Sequence, residues 1–169
     1  GDVNGDGFDD VVIGANRADP SGEYNAGESY VVFGSSSNFP RNVELSDLNG
    51  TNGFIIEGIG RNFELGSSVS TAGDINNDGI DDIVLTGTPG GGGGDKTHVI
   101  FGKTDTFQSS LSVSSLDGAN GFSLNGISLS ASDAGDVNSD GIEDLIITGG
   151  GKTYVVFGSD SAFTSTIEL

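Results

Sequence analysis

Short apolar runs bounded by glycine recur along the chain. Val11-Val12-Ile13, Ile83-Val84-Leu85 and Leu145-Ile146-Ile147 each follow a stretch rich in Asp, Asn and Gly. A second run, Tyr30-Val31-Val32-Phe33-Gly34, returns as His98-Val99-Ile100-Phe101-Gly102 and Tyr154-Val155-Val156-Phe157-Gly158, and Asn52-Gly53-Phe54 returns as Asn120-Gly121-Phe122. β-Branched and aromatic residues in brief runs between turn formers predict buried strands, not helices. The pattern predicts four strands per repeat. Strand A spans Ser67 to Ala72, B Asp82 to Thr86, C Thr97 to Phe101 and D Gly121 to Asn125, with Gly53 to Glu57 as an earlier D. Phe33 to Phe54 and Phe101 to Phe122 are both separated by 21 residues, so this part of the repeat is scaffold. Between C and D lie Val43 to Gly50 and Leu111 to Gly118, whose leucines are expected to cap the sheet edge.

The polar stretch ahead of strand B has the form D-x-N-x-D-G-x-x-D in all three copies. It places side-chain oxygens at Asp2, Asn4, Asp6 and Asp10, at Asp74, Asn76, Asp78 and Asp82, and at Asp136, Asn138, Asp140 and Asp144. The glycine at position 6 allows the backbone to turn sharply. Phe8, Ile80 and Ile142, at position 7, would each offer a backbone carbonyl. Such an oxygen cage suits calcium, a hard cation with flexible coordination at about 2.3–2.6 Å. With no Cys and a single His, thiolate or imidazole sites for zinc or copper are excluded. EF-hand loops share the opening residues but need a bidentate Glu at position 12, where this chain has Ile13, Leu85 and Ile147. Dockerin modules also begin in this way and would require helices after the loop. The apolar runs predict instead a loop joining two strands.

Thirty Gly among 169 residues, with short apolar runs between turn formers, fits an all-β protein. The net charge of −19 argues against nucleic acid or an anionic membrane as partner. Twelve of the 25 acidic residues lie in the three loops, and three bound calcium ions would bring the charge to −13. Without calcium these carboxylates repel one another and the fold is expected to weaken. No apolar run is long enough to span a bilayer and no signal peptide is visible. The start at Gly1 suggests a segment of a longer protein.

Asp2 to Asp74 is 72 residues and Asp74 to Asp136 is 62, a period that points to a propeller or a solenoid. The sequence resembles the FG-GAP repeats of bacterial surface proteins, similar in turn to the integrin α-subunit propeller. The loop positions match residue by residue. The Gly-Ala-Pro position reads Gly14-Ala15-Asn16, Thr86-Gly87-Thr88 and Thr148-Gly149-Gly150, and the Phe-Gly position before strand A reads Leu65-Gly66 in the second repeat and is missing from the third. The resemblance implies an arc of a larger, seven-bladed propeller. Blade 1 would span about 1–58 without strand A, blade 2 about 64–126, and blade 3 about 127–169 without strand D, ten strands in all. A six-residue deletion before the third loop leaves strand A of blade 3, near Leu129 to Ala134, in doubt.

Length varies in the B–C and D–A loops, at the end of the blades opposite the calcium cages, where insertions mark a binding surface. The longest is Asn16 to Glu28, with Arg17, Asp19, Glu23 and Tyr24. The run Gly90 to Gly94 is expected to be a mobile tip. The functional expectation is a non-enzymatic, extracellular or cell-surface module of bacterial type for adhesion or protein and carbohydrate interaction. It would hold about three structural calcium ions, and its partners would be the remaining blades of a parent chain and a ligand on the face opposite the cages. The alternative is the propeller portion of a secreted hydrolase or phospholipase. Catalytic residues are sparse: His98 stands at the strand position of Tyr30 and Tyr154, and no Cys nucleophile exists. The paired acids Asp9-Asp10, Asp81-Asp82 and Glu143-Asp144 are expected to place their second member in the cage and leave the first solvated or in an outer shell.

Overall fold

The computed structural model describes residues 1–36, 41–87, 95–126 and 129–169. The strands are β1 (Val11–Ala15), β2 (Glu28–Val32), β3 (Gly53–Glu57), β4 (Ser68–Gly73), β5 (Asp82–Gly87), β6 (Asp95–Ile100), β7 (Ser110–Ser112), β8 (Gly121–Gly126), β9 (Ser130–Gly135), β10 (Asp144–Gly149), β11 (Lys152–Val156) and β12 (Thr166–Glu168). Helical structure among the described residues is confined to single 3₁₀ turns at Pro20–Gly22, Leu45–Asp47 and Val113–Ser115. The loops run directly into strands β1, β5 and β10, which removes the dockerin-like alternative. The protein is all-β.

Three sheets form, with orders β1-β2-β3-β7, β4-β5-β6-β8-β12 and β9-β10-β11. The antiparallel strands run in meander order, B–C–D in the first sheet, A–B–C–D in the second and A–B–C in the third, consistent with propeller-like blades. Two findings depart from the sequence expectation. Strand A of the third repeat does form, as β9 on β10, with a bulge between Asp144 and Leu145 that absorbs the irregular approach. The strands number twelve among the described residues, not ten, because a segment after strand C of the second and of the third repeat leaves its own sheet. β7 pairs parallel with β3 of the preceding repeat and β12 pairs parallel with β8. Each outer edge strand D is thereby covered by its neighbour.

Side-chain alternation places two apolar faces on the middle sheet. Ile83, Leu85 and Ile100 face the first sheet and join Val31, Phe33, Phe54 and Ile56 in one core. Val84, Val99, Phe122 and Leu124 face the third sheet and join Leu145 and Ile147 in another. Strands buried on both faces read as continuous apolar runs, which is why Ile83-Val84-Leu85 shows no alternation. The C–D connections contribute to the same cores. Phe107 stacks on Phe54 of the first sheet at 4.4 Å between ring centroids, and Phe163 stacks on Phe122 of the second at 4.5 Å. Phe33 and Phe101 complete the two triplets.

Candidate metal centre

The three acidic loops share one hydrogen-bond network. The first Asp accepts the N–H of position 5 on one oxygen (3.0, 2.9 and 3.1 Å) and the Gly N–H of position 6 on the other (2.8, 2.8 and 2.9 Å). The Asn at position 3 accepts the same position-5 N–H through Oδ1 and donates through Nδ2 to the position-5 carboxylate. That carboxylate's other oxygen accepts the N–H of Phe8, Ile80 or Ile142. These bonds require positive φ at position 6, where Gly7, Gly79 and Gly141 stand at 89, 87 and 90°. Asx-type bonding in the loop fixes the side chains of positions 1, 3 and 5 on its inner side.

The position-9 carboxylate closes the loop against the rest of its sheet. Asp10, Asp82 and Asp144 each accept the N–H of position 2 on one oxygen, at 3.0, 3.1 and 2.9 Å. The other oxygen accepts the N–H of Gly34, Gly102 or Gly158 at the end of strand C, at 2.7, 2.8 and 3.0 Å. The recurrent Phe-Gly pair is thus the partner of the last loop Asp, a link the spacing of 24, 20 and 14 residues does not disclose. Burial pushes Asp82 up to about 8 and Asp10 up to about 6, against the lowering effect of these backbone N–H bonds, and the neighbouring loop carboxylates add to the rise.

The family model of the FG-GAP repeat matches residues 1–32 and 65–110. This chain is built of FG-GAP repeats. The match covers the first loop with β1 and β2 after it and the second loop with β4 before and β5 and β6 after it, and the third loop, outside it, carries the same hydrogen bonds. The phosphatidylinositol-glycan-specific phospholipase D of Bos taurus is 31% identical over 181 residues, covering 99% of this chain and 21% of the relative. The protein of that name from Rattus norvegicus is 30% identical over 161 residues, covering 89% and 18%. The chain spans about a fifth of the length of the relatives it matches.

In each FG-GAP loop the side-chain oxygens are carboxylate and amide, donors that suit calcium. Among the described residues no three acidic or histidine side chains converge as they stand closely enough to hold an ion. Asn occupies position 3, and the position-9 oxygens both face backbone N–H groups. The donor set fits calcium.

The acid at position 8 is not idle. Asp81 Oδ2 accepts the N–H of Asp2 at 2.8 Å, and Glu143 Oε2 accepts the N–H of Asp74 at 2.7 Å. Position 8 of the second and third repeats therefore holds position 1 of the preceding one through its backbone N–H, an outer-shell contact, whereas Asp9 of the first repeat is exposed. Lys103 N–H to Val3 O and Ser159 N–H to Ile75 O, both at 3.0 Å, tie the same loops together.

Other residues expected to carry function lie apart from the loops. The 16–28 loop is pinned by Gly27 N–H to Ala18 O at 3.0 Å and by Asn25 N–H to Asp19 Oδ1 at 2.7 Å. Its Tyr24 is exposed and carries the Arg61 guanidinium 5.4 Å from its ring centroid. The glycine run 90–94 falls outside the described residues. His98 is buried against Phe63, with Nδ1 bonded to Ser123 Oγ at 2.9 Å. A groove of about 560 Å³ opens at the loop end of the sheets, lined by Asn76, Asp78, Lys103, Phe107 and Asn120.

Proposed function

We propose that the chain is a calcium-stabilised, extracellular β-propeller module for interaction or adhesion, in which the ions are structural and sit one per loop. The reading is supported by three loops with one donor set and one hydrogen-bond pattern, at Asp2 to Asp10, Asp74 to Asp82 and Asp136 to Asp144. Calcium would neutralise the loop carboxylates and fix the A–B turns, with the carbonyls of Phe8, Ile80 and Ile142 as further donors. Further blades of the same kind would cover the outer faces of the first and third sheets and close the ring. A protein or carbohydrate ligand would bind the loops at the opposite end, where Tyr24 and Arg61 present an aromatic and cationic surface.

The test is a calorimetric calcium titration of the demetallated chain, with thermal melts alongside. About three ions per chain and a rise in Tm are expected, and Asp74→Ala should remove one ion while leaving the others. Absence of binding at millimolar calcium would overturn the reading.

A second reading is favoured by the relatives, whose printed name is a phospholipase D. The chain would then be the non-catalytic propeller portion of a secreted hydrolase. His98, the one histidine of the sequence, is buried between two sheets and unsuited to proton transfer with a substrate. Assay of the isolated chain for phosphodiester hydrolysis of a phosphatidylinositol-glycan anchor checks this portion, with no turnover expected.

A further inference from the structure

The first and second acidic loops are each entered through two residues whose backbone groups are engaged by the next repeat. Asp2, the first ligand position of its loop, gives its N–H to Asp81 Oδ2 at 2.8 Å and accepts the Asp81 N–H on its carbonyl at 3.2 Å. Val3 gives its N–H to Asp10 at 3.0 Å, and its carbonyl accepts the N–H of Lys103 at 3.0 Å. In the second loop Asp74 gives its N–H to Glu143 Oε2 at 2.7 Å, while Ile75 gives its N–H to Asp82 and accepts that of Ser159. A Cβ on Gly1 or Gly73, the residue ahead of each loop, would collide with the Asp81 or Glu143 carboxylate, so each acid is seated against the backbone it holds.

Gly102 and Lys103 are consecutive residues that serve different loops. The Gly102 N–H goes to Asp82, the last ligand position of its own repeat, and the Lys103 N–H to Val3, which itself holds Asp10 of the preceding one. Gly158 and Ser159 repeat the arrangement with Asp144 and Ile75. The carboxylates of Asp10, Asp82 and Asp144 are thereby strung on one run of backbone hydrogen bonds. Asp81 stands one residue before Asp82, and Glu143 one before Asp144. The side chain that holds the entry of one loop is therefore carried on the backbone that closes the next.

We propose that Asp81 and Glu143 are positioning residues for calcium in the loop before their own, and that the loops fill as a coupled set. This rests on the calcium reading above and adds which residues outside a loop set its affinity. An acid that fixes the backbone of the first ligand spares the loop that ordering on loading, as outer-shell partners of metal ligands do. Filling the second loop orders Asp82 and Asp81 together, so the first loop closes on a fixed entry. By linkage, filling the first loop raises the affinity of the second by the same factor.

Gly7, Gly79 and Gly141 each give their N–H to the first carboxylate of their loop, so their amide resonances report the three loops separately. The test is a calcium titration of the demetallated chain followed by NMR. Asp78→Ala, which removes an exposed ligand of the second loop and leaves Asp81 intact, should move the Gly7 midpoint to higher calcium. Asp81→Ala should raise the Gly7 midpoint roughly tenfold and the Gly79 midpoint less, and Glu143→Ala should do the same to Gly79 relative to Gly141. Asp81→Asn keeps an acceptor oxygen for the Asp2 N–H and should restore most of the affinity. Asp9→Ala removes an equal charge from the first loop itself, at a side chain 93% exposed that holds no Asp N–H, and should move Gly7 less than about threefold. The proposal is overturned, with calcium binding intact, if the Gly7 midpoint ignores Asp78→Ala and Asp81→Ala, if Asp9→Ala moves it as far, or if Asn restores nothing. No response of any of the three resonances at millimolar calcium fails the calcium reading and this inference with it.

Discussion

Asp81 accepts the backbone N–H of Asp2 across 79 residues of sequence, at 2.8 Å. The bond joins the second acidic loop to the first, and Glu143 repeats it between the third and the second at 2.7 Å. The loops are therefore not three independent turns but a series in which each holds the start of the one before. Replacing Asp81 by Ala removes a charge-assisted acceptor and leaves the Asp2 N–H at a partly buried joint. A loss of about 1–2 kcal/mol is expected in urea unfolding at constant calcium. Asp9→Ala, at the exposed counterpart, should leave the stability of the monomer within about 0.5 kcal/mol.

Asp82 binds the Ile75 and Gly102 N–H groups with its two oxygens in a fully buried position. Truncation to Ala orphans two buried donors, and the expected cost is about 2–4 kcal/mol. Asn in its place keeps one acceptor and turns an N–H₂ towards a donor, so it should recover only part of that loss. Denaturant titration in calcium-free buffer separates this clamp from any contribution of an ion.

His98 carries the pH dependence that is independent of the loops. Burial, with a smaller contribution from Lys96, lowers its pKa from 6.5 to about 3. Because the folded state binds the proton more weakly than the unfolded chain, His98 favours folding fully above pH 6.5. That contribution is lost as pH falls from 6.5 towards 3, at up to about 1.4 kcal/mol per unit. Thermal melts of His98→Phe should lack this component, whereas the acidic limb due to carboxylates remains.

Phe107 belongs to the second repeat by sequence and to the first by packing. It stacks on Phe54 and lies 5.4 Å from Phe33. Phe107→Ala opens a cavity between two repeats and should cost about 3 kcal/mol or more. Lys103, whose ammonium lies 4.8 Å from the Phe107 ring centroid, would lose its aromatic partner as well. Hydrogen exchange is expected to show faster exchange in β7 and β3 together, since β7 is held to β3 beneath this ring.

Much of this protein is fixed by local spacing. Residues two to five apart decide the bonds within each acidic loop, so D-x-N-x-D-G prescribes which oxygens turn inward and demands a glycine at position 6. Brief β-branched runs between glycines likewise decide that strands follow, and the unbroken Ile83-Val84-Leu85 already implies a sheet covered on both faces. Stacking of the repeats decided the rest. Nothing near Asp81 or Glu143 in the chain marks them as holding Asp2 and Asp74, because the N–H they accept arrives from another repeat. Nothing near Phe107 or Ser110–Ser112 assigns them to the first sheet. Their place follows from the open D edge and the aromatic pair Phe33 and Phe54 that the preceding repeat presents. The six-residue shortening before Asp136 casts doubt on a strand that tertiary pairing with β10 then supplies, with one bulge taking up the mismatch. Local bonds are set by residues that cannot be far apart, whereas the joints between repeats exist only once two sheets have met.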